Sequence, residues 1–179
     1  MRITGGTWRG RRFKPMKSFK GRPTTDFARE GLFNLLRSRI ELDGARVLDL
    51  FAGTGIVGME CASRGATSIT VIEKQRNACA YIKSCFEELG YDGAKVINMN
   101  AFKFLEGVGG RYDLVFADPP YDLKNLAKIP ESVNTSGVLS QDGLFILEHG
   151  DSYNFNGIPG FVEMRKYGHV HFSFFTFEL

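Results

Sequence analysis

Long apolar runs, paired cysteines and clustered histidines are what this sequence has least of. No stretch approaches the ~18 uninterrupted apolar residues of a membrane-spanning helix, and the opening MRITGGTWRG has no apolar signal segment. The expectation is a soluble, cytoplasmic protein with no membrane partner. The three cysteines, Cys61, Cys79 and Cys85, show neither CxxC nor Cys/His ligand spacing and fall in segments of helical pattern, so neither a disulfide framework nor a metal site is suggested. They read as small, mostly buried apolar residues. His149, His169 and His171 have no partner in sequence that would make them catalytic. No repeat, low-complexity tract or interdomain linker interrupts the 179 residues, a length suited to one domain that buries roughly 70% of its unfolded surface.

What is present is unevenly placed. Residues 1–30 hold nine Lys or Arg against Asp26 and Glu30, a net +7, whereas the remaining 149 residues hold 14 basic and 18 acidic side chains, a net −4. A basic leader on a slightly acidic body suits a partner rich in phosphate. RITGGTWRGRRF has strand-like residues on either side of Gly5-Gly6, with Trp8 and Phe13 available to pack or stack, which predicts a β-hairpin rather than a free tail. Arg2, Trp8, Arg9, Arg11, Arg12 and Arg22 are the candidate contacts of the leader to such a partner.

Apolar residues at helical spacing predict an amphipathic helix over 26–42, with Thr24, Thr25 or Asp26 as N-cap. RVLDLF (46–51), SITVIE (68–73), AKVINM (94–99), YDLVFA (112–117) and GLFILEH (143–149) read as buried strands, alternating with helical segments over 56–64, 74–90, 101–106 and 123–136. This alternation implies a parallel sheet covered by helices on both faces. FVEMRKYG and HVHFSFFTFEL, joined at Gly168, read as a closing antiparallel hairpin on the sheet edge.

VLDLFAGTGIVGME (47–60) runs from a strand through a glycine turn into a helix. Gly53-x-Gly55-x-x-Gly58 matches the dinucleotide fingerprint, and Glu73 stands where an acid would bind a ribose hydroxyl. On pattern alone NAD is a candidate. Asp49, four residues before Gly53, favours another cofactor, because a pyrophosphate beside an unpaired carboxylate costs about 1 kcal/mol in solvent and several away from it. S-adenosylmethionine carries an ammonium and a sulfonium instead of phosphate.

ADPPYD (117–122) ends the fourth strand. Pro119 and Pro120 stiffen the turn, which offers the Asp118 carboxylate and the carbonyls of Asp118 and Pro119, all acceptors. Tyr121 adds an aromatic face. By itself the segment also serves as an ordinary strand-ending turn, but a planar ring with an exocyclic amine satisfies every feature of it, as adenine, cytosine and guanine do.

Together, VLDLFAGTG, VIE and DPPY resemble class I S-adenosylmethionine-dependent methyltransferases acting on exocyclic amines, and RITGGTWRGRRF with GRPTTDFAREGLFNLL resembles the RsmD family of 16S ribosomal RNA guanine-N2 methyltransferases over nearly the full length. The resemblance implies a Rossmann-like α/β fold whose seven-stranded, mostly parallel sheet ends in an antiparallel strand, with an RNA-binding extension over 1–22 and the methyltransferase domain over 23–179. It implies that Asp49, Phe51, Gly53, Gly55, Glu73, Asn100 and Asp118 bind S-adenosylmethionine, released as S-adenosylhomocysteine. Asp118, Pro119, Pro120 and Tyr121 would hold the base. The implied partner is small-subunit ribosomal RNA in a partly assembled subunit, met by a monomer. Asn100 is a departure: such enzymes usually present an Asp to the adenine amine here, and the amide oxygen is expected to accept from it more weakly. DNA or protein glutamine as methyl acceptor, an NAD-dependent oxidoreductase and a non-enzymatic RNA-binding factor are the rival readings.

Overall fold

The computed structural model describes residues 1–14, 16, 25–107 and 110–177. After helix α1 (Asp26–Leu36), strands and helices alternate through β1 (Arg46–Leu50), α2 (Ile56–Ser63), β2 (Ser68–Glu73), α3 (Arg76–Leu89), β3 (Ala94–Asn98), α4 (Ala101–Glu106) and β4 (Tyr112–Ala117). A short 3-10 turn (Leu126–Lys128), α5 (Ile129–Ser136), β5 (Leu139–His149), β6 (Phe161–Tyr167) and β7 (Val170–Phe175) complete the described chain. The strands form one seven-stranded sheet in the order β3-β2-β1-β4-β5-β7-β6. The first five strands are parallel, and β7 pairs antiparallel with both β5 and β6. The closing hairpin therefore inserts its second strand beside β5 and leaves β6 at the edge.

Continuous apolar runs make this possible because the central strands are covered on both faces. One core cluster joins Val47, Ile69, Val71, Leu114, Phe116 and Ile146 to α1, α2 and α3. The other joins Leu48, Leu50, Val115, Phe145 and Leu147 to α4 and α5. Cys61, Cys79 and Cys85 are all buried, and burial pushes each thiol up, away from reactivity.

Some boundaries differ from the sequence expectation for identifiable reasons. Thr25 caps α1 by accepting from the Ala28 N–H, but the helix stops at Leu36 rather than 42. Ser38 Oγ donates to the Leu35 carbonyl, a local alternative to continued helical pairing. The expected helix over 123–136 begins as a 3-10 turn, and α5 starts at Ile129, with Pro130 in its first turn. β5 starts four residues earlier than expected, through an irregular register and a positive φ of 63° at Asp142.

The leader pairs more narrowly than a regular hairpin. An antiparallel bridge joins Arg2 to Arg12, with the Ile3 N–H donating to the Arg11 carbonyl at 2.9 Å and the Phe13 N–H to the Met1 carbonyl at 3.0 Å. Gly5-Gly6 is not the tip of the turn but a dock against α2. At Gly6 (φ 75°) a Cβ would lie 1.8 Å from the Ser63 carbonyl oxygen, so only glycine permits the approach. Ile3 and Phe13 enter the same core cluster as α1 and α2.

Candidate functional site

Parallel order puts the ends of β1, β2, β4 and β5 on one edge of the sheet, where the chain turns out of each strand. Phe51, directly after β1, takes a positive φ of 56°, an unfavourable backbone for a non-glycine residue. Gly53 (φ 56°) and Gly55 (φ 71°) continue the bend into α2. A Cβ on Gly55 would lie 2.9 Å from Ile82, so the loop can lie this close to α3 only as glycine. Beneath it Asp49 is buried, and its Oδ2 accepts from the Gly58 N–H at 3.1 Å. Burial pushes its carboxyl up to about 7, with a smaller push from the Glu73 charge and an opposing pull from the Gly58 bond.

Glu73, at the end of β2, accepts from the Gly53 N–H at 2.9 Å and from the Gln75 N–H at 2.7 Å. One carboxylate thereby fixes both the glycine loop and the start of α3. Asn100 is placed differently from expectation. Its Oδ1 accepts from the Phe102 and Lys103 N–H groups and caps α4, so the amide oxygen expected to meet an adenine amine is directed at the helix. The Phe102 ring meets Phe51 edge-on at 5.9 Å between centroids.

The turn after β4 stays tied to β1 through the Asp118 N–H and the Leu50 carbonyl, 3.3 Å apart. Asp118 is raised well above the usual carboxylate range, first by burial and then by the charges of Glu148 and Asp49. Pro119 is buried, and Pro120 and Tyr121 face outward. The Tyr121 hydroxyl donates to Glu148 Oε1 at 3.1 Å, and its proton is held by burial and the neighbouring charges.

Asp49, Phe51, Gly53, Glu73, Asn100 and the segment from Asp118 to Tyr121 all line one cavity of about 800 Å³, within the usual range for small-molecule sites. Gly55 is not among its lining residues. Among the described residues, the lining carries five acids, Asp49, Glu73, Asp118, Asp122 and Glu148, against one cation, Lys74. Such a lining suits cationic or N–H-rich ligands and opposes a pyrophosphate. Glu148, Met99 and Phe102 were missed by sequence reasoning. Only Glu148 carried a signal, as an acid interrupting the apolar run FILEH.

Among the described residues, none of the basic leader lines this cavity. Arg2 is paired with Asp26 and Glu30, and Arg11 with Glu88 at 2.7 Å. Trp8 packs edge-on against Tyr91. Arg9 and Arg12 are exposed, whereas Arg22 falls outside the described residues. A buried network fastens the leader: Glu60 accepts from the Thr4 N–H at 2.7 Å and from Arg29 Nε at 3.0 Å, and also pairs with Arg64. His149 is held between the Gly150 carbonyl and Ser173 Oγ, and burial pushes its pKa down.

A family profile described as conserved hypothetical protein 95 matches residues 1–176. The chain is 38% identical over 159 residues to ribosomal RNA small subunit methyltransferase D of Escherichia coli strain K12, covering 89% of this chain and 78% of that one. A solved hypothetical protein of Thermus thermophilus superposes with a TM-score of 0.85 at 32% identity, covering 98% of each chain. Ribosomal protein L11 methylase of Lactobacillus delbrueckii subsp. bulgaricus shares the fold alone, with a TM-score of 0.65 at 15% identity over 83% of this chain and 77% of that one.

Proposed function

Because the chain belongs to the RsmD family of ribosomal RNA small subunit methyltransferases, we propose that it transfers a methyl group from S-adenosylmethionine to the exocyclic N2 amine of a guanine in small-subunit ribosomal RNA. The convergence of Asp49, Glu73 and Asp118 in one acid-rich cavity carries the reading. S-adenosylmethionine supplies a methyl group activated by its sulfonium. Asp49 and the loop from Phe51 to Thr54 would hold its amino-acid end, the acid suiting the ammonium and the loop N–H groups the carboxylate. Glu73 receives the ribose hydroxyls, since a carboxylate has about four acceptor sites and the Gly53 and Gln75 bonds use two. Asn100, occupied by its cap, positions the start of α4.

At the acceptor turn, Asp118 and the Pro119 carbonyl accept the two amine hydrogens and aim the nitrogen lone pair along the line of displacement, where an approach of roughly 3 to 3.5 Å is needed. Methyl transfer, with S-adenosylhomocysteine as the leaving sulfide, would leave the nitrogen positive with one proton to give up. Asp118 takes it, and the raised affinity of this carboxyl for a proton favours the transfer. Stabilising the developing charge is worth around 3 kcal/mol, on the order of a hundredfold in rate. Tyr121 stacks on the base, contributing about 1 to 3 kcal/mol, and the base reaches it from a loop or by flipping.

Residues 1–22 serve as the RNA-binding extension and 23–179 as the catalytic domain. Arg9 and Arg12 take phosphate, while Arg2, Trp8 and Arg11 hold the extension to the body. The substrate is a partly assembled subunit, met by a cytoplasmic monomer; among the described residues no helix is long and apolar enough to cross a membrane. Incubation with labelled S-adenosylmethionine and unmodified small-subunit RNA, naked and protein-bound, tests the proposal. Label recovered as N2-methylguanosine, more from particles than from naked RNA, is the expected result; N6-methyladenosine or no RNA label overturns it.

A further inference from the structure

Two carboxylates stand side by side at the cavity. Ala117 pairs in parallel with Leu147, so the next residues along the two strands are Asp118 and Glu148, which both line the cavity. Glu148 is only 3% exposed. Its Oε1 accepts the Tyr121 hydroxyl, and Gly150, two residues on, lets the Tyr121 ring lie close: a Cβ there would be 3.1 Å from the ring. The acceptor turn, the aromatic face and the second acid are thus one unit.

Asp118 and the Pro119 carbonyl are matched by any exocyclic amine. The atom beside the amine is what differs among bases. In guanine the N2 amine is flanked by N1–H, a donor. The adenine N6 and cytosine N4 amines are flanked on that edge by an unprotonated ring nitrogen, an acceptor. A second carboxylate in the slot attracts the first arrangement and repels the second. Resting on the proposed amine methylation, we infer that Glu148 is the specificity-determining residue for guanine, accepting from its N1–H while Asp118 holds the N2 amine. The Tyr121 hydroxyl donates to Glu148 Oε1 and ties the aromatic face to this acid.

The test compares single-turnover methylation of two RNAs that differ at the methylated position, one with guanine and one with 2-aminopurine. The latter keeps the amine on C2 but has no N1–H. The natural enzyme should prefer guanine by roughly ten- to a hundredfold. Glu148→Gln, whose amide can turn an N–H toward an unprotonated N1, should bring the preference to within a few-fold, with S-adenosylhomocysteine affinity unchanged. Tyr121→Phe keeps the ring and the acid and should retain most of the preference. Equal use of both RNAs by the natural enzyme overturns the assignment without any variant. So does a Glu148→Gln variant slowed equally on both, or a Tyr121→Phe variant that loses the preference equally, since Glu148 would then act only through Tyr121. An enzyme that methylates no guanine removes the guanine-N2 reading together with this one, whereas methylation of both RNAs alike leaves that reading standing.

Discussion

Two groups of acids in this protein face opposite surroundings. Glu60, on α2, is fully buried and meets Arg29, Arg64 and the Thr4 N–H. Asp49 on β1 and Glu148 on β5, both buried, and half-buried Asp118, directly after β4 between them, line a cavity whose described lining holds a single lysine. The first group is satisfied from within and fastens the leader to the core. In the second, burial and mutual repulsion hold Asp49 and Asp118 toward their protonated forms, a cost that a cationic methyl donor and an amine would relieve. Acids paired with arginines mark structure here, and the carboxyls held toward protonation at Asp49 and Asp118 mark the binding site.

Mutations should separate the two groups. The largest effect is expected at Glu60→Ala, which removes the buried carboxylate shared by Arg29 and Arg64 and leaves Arg29 its pair with Asp26; denaturant unfolding should show a loss of about 3 kcal/mol. Asp118→Ala should instead leave stability nearly unchanged or raised and lower single-turnover rate by on the order of a hundredfold, with S-adenosylhomocysteine affinity within a few-fold. Near-normal turnover would reduce Asp118 to the end of a strand. Asp49→Asn keeps an acceptor for the Gly58 N–H but removes the charge, and calorimetry should find S-adenosylmethionine binding weakened by roughly tenfold, about 1.4 kcal/mol.

The leader supplies the smallest effect and the sharpest contrast within one segment. Replacing Arg9 and Arg12 together by alanine should flatten the salt dependence of RNA binding by up to roughly 0.7 to 0.9 log units per lost phosphate contact. Arg11→Ala, which breaks the pair with Glu88, should change that slope less. Equal slopes for the natural protein and the double variant would make the leader a structural strap alone.

Much of the fold was legible because buried strands and amphipathic helices write their periods locally. The strands 68–73 and 112–117 and the helix 101–106 have the observed bounds. Asp118 could be singled out because consecutive prolines leave few other conformations. Glu148 showed only as an acid within an apolar run: its place beside Asp118 depends on β5 lying beside β4, a relation that no local pattern carries. Asn100 stands at a legible position, but whether its oxygen faces a ligand or the first N–H groups of α4 depends on the side-chain rotamer. The docking of Gly5-Gly6 was hidden for a similar reason, since glycine pairs suggest a tight turn whereas here they permit contact with Ser63, distant in sequence.

The strained acids make a claim about protons that calorimetry can read directly. A folded-state carboxyl raised from 3.8 to about 7, as at Asp49, keeps its proton in the folded protein at pH values where the unfolded chain has lost it. The ligand-free protein should therefore lose stability as pH rises from about 4 through 7. A bound cation reverses the preference, so S-adenosylmethionine should bind more tightly as pH rises toward and through about 7, releasing protons as it does. Titrations in two buffers of different ionisation enthalpy, repeated with NAD, measure this. Proton release below about pH 7, stronger for S-adenosylmethionine than for S-adenosylhomocysteine, which lacks the sulfonium, is the expected result. Tight NAD binding, with no S-adenosylmethionine binding and no proton release, would contradict it.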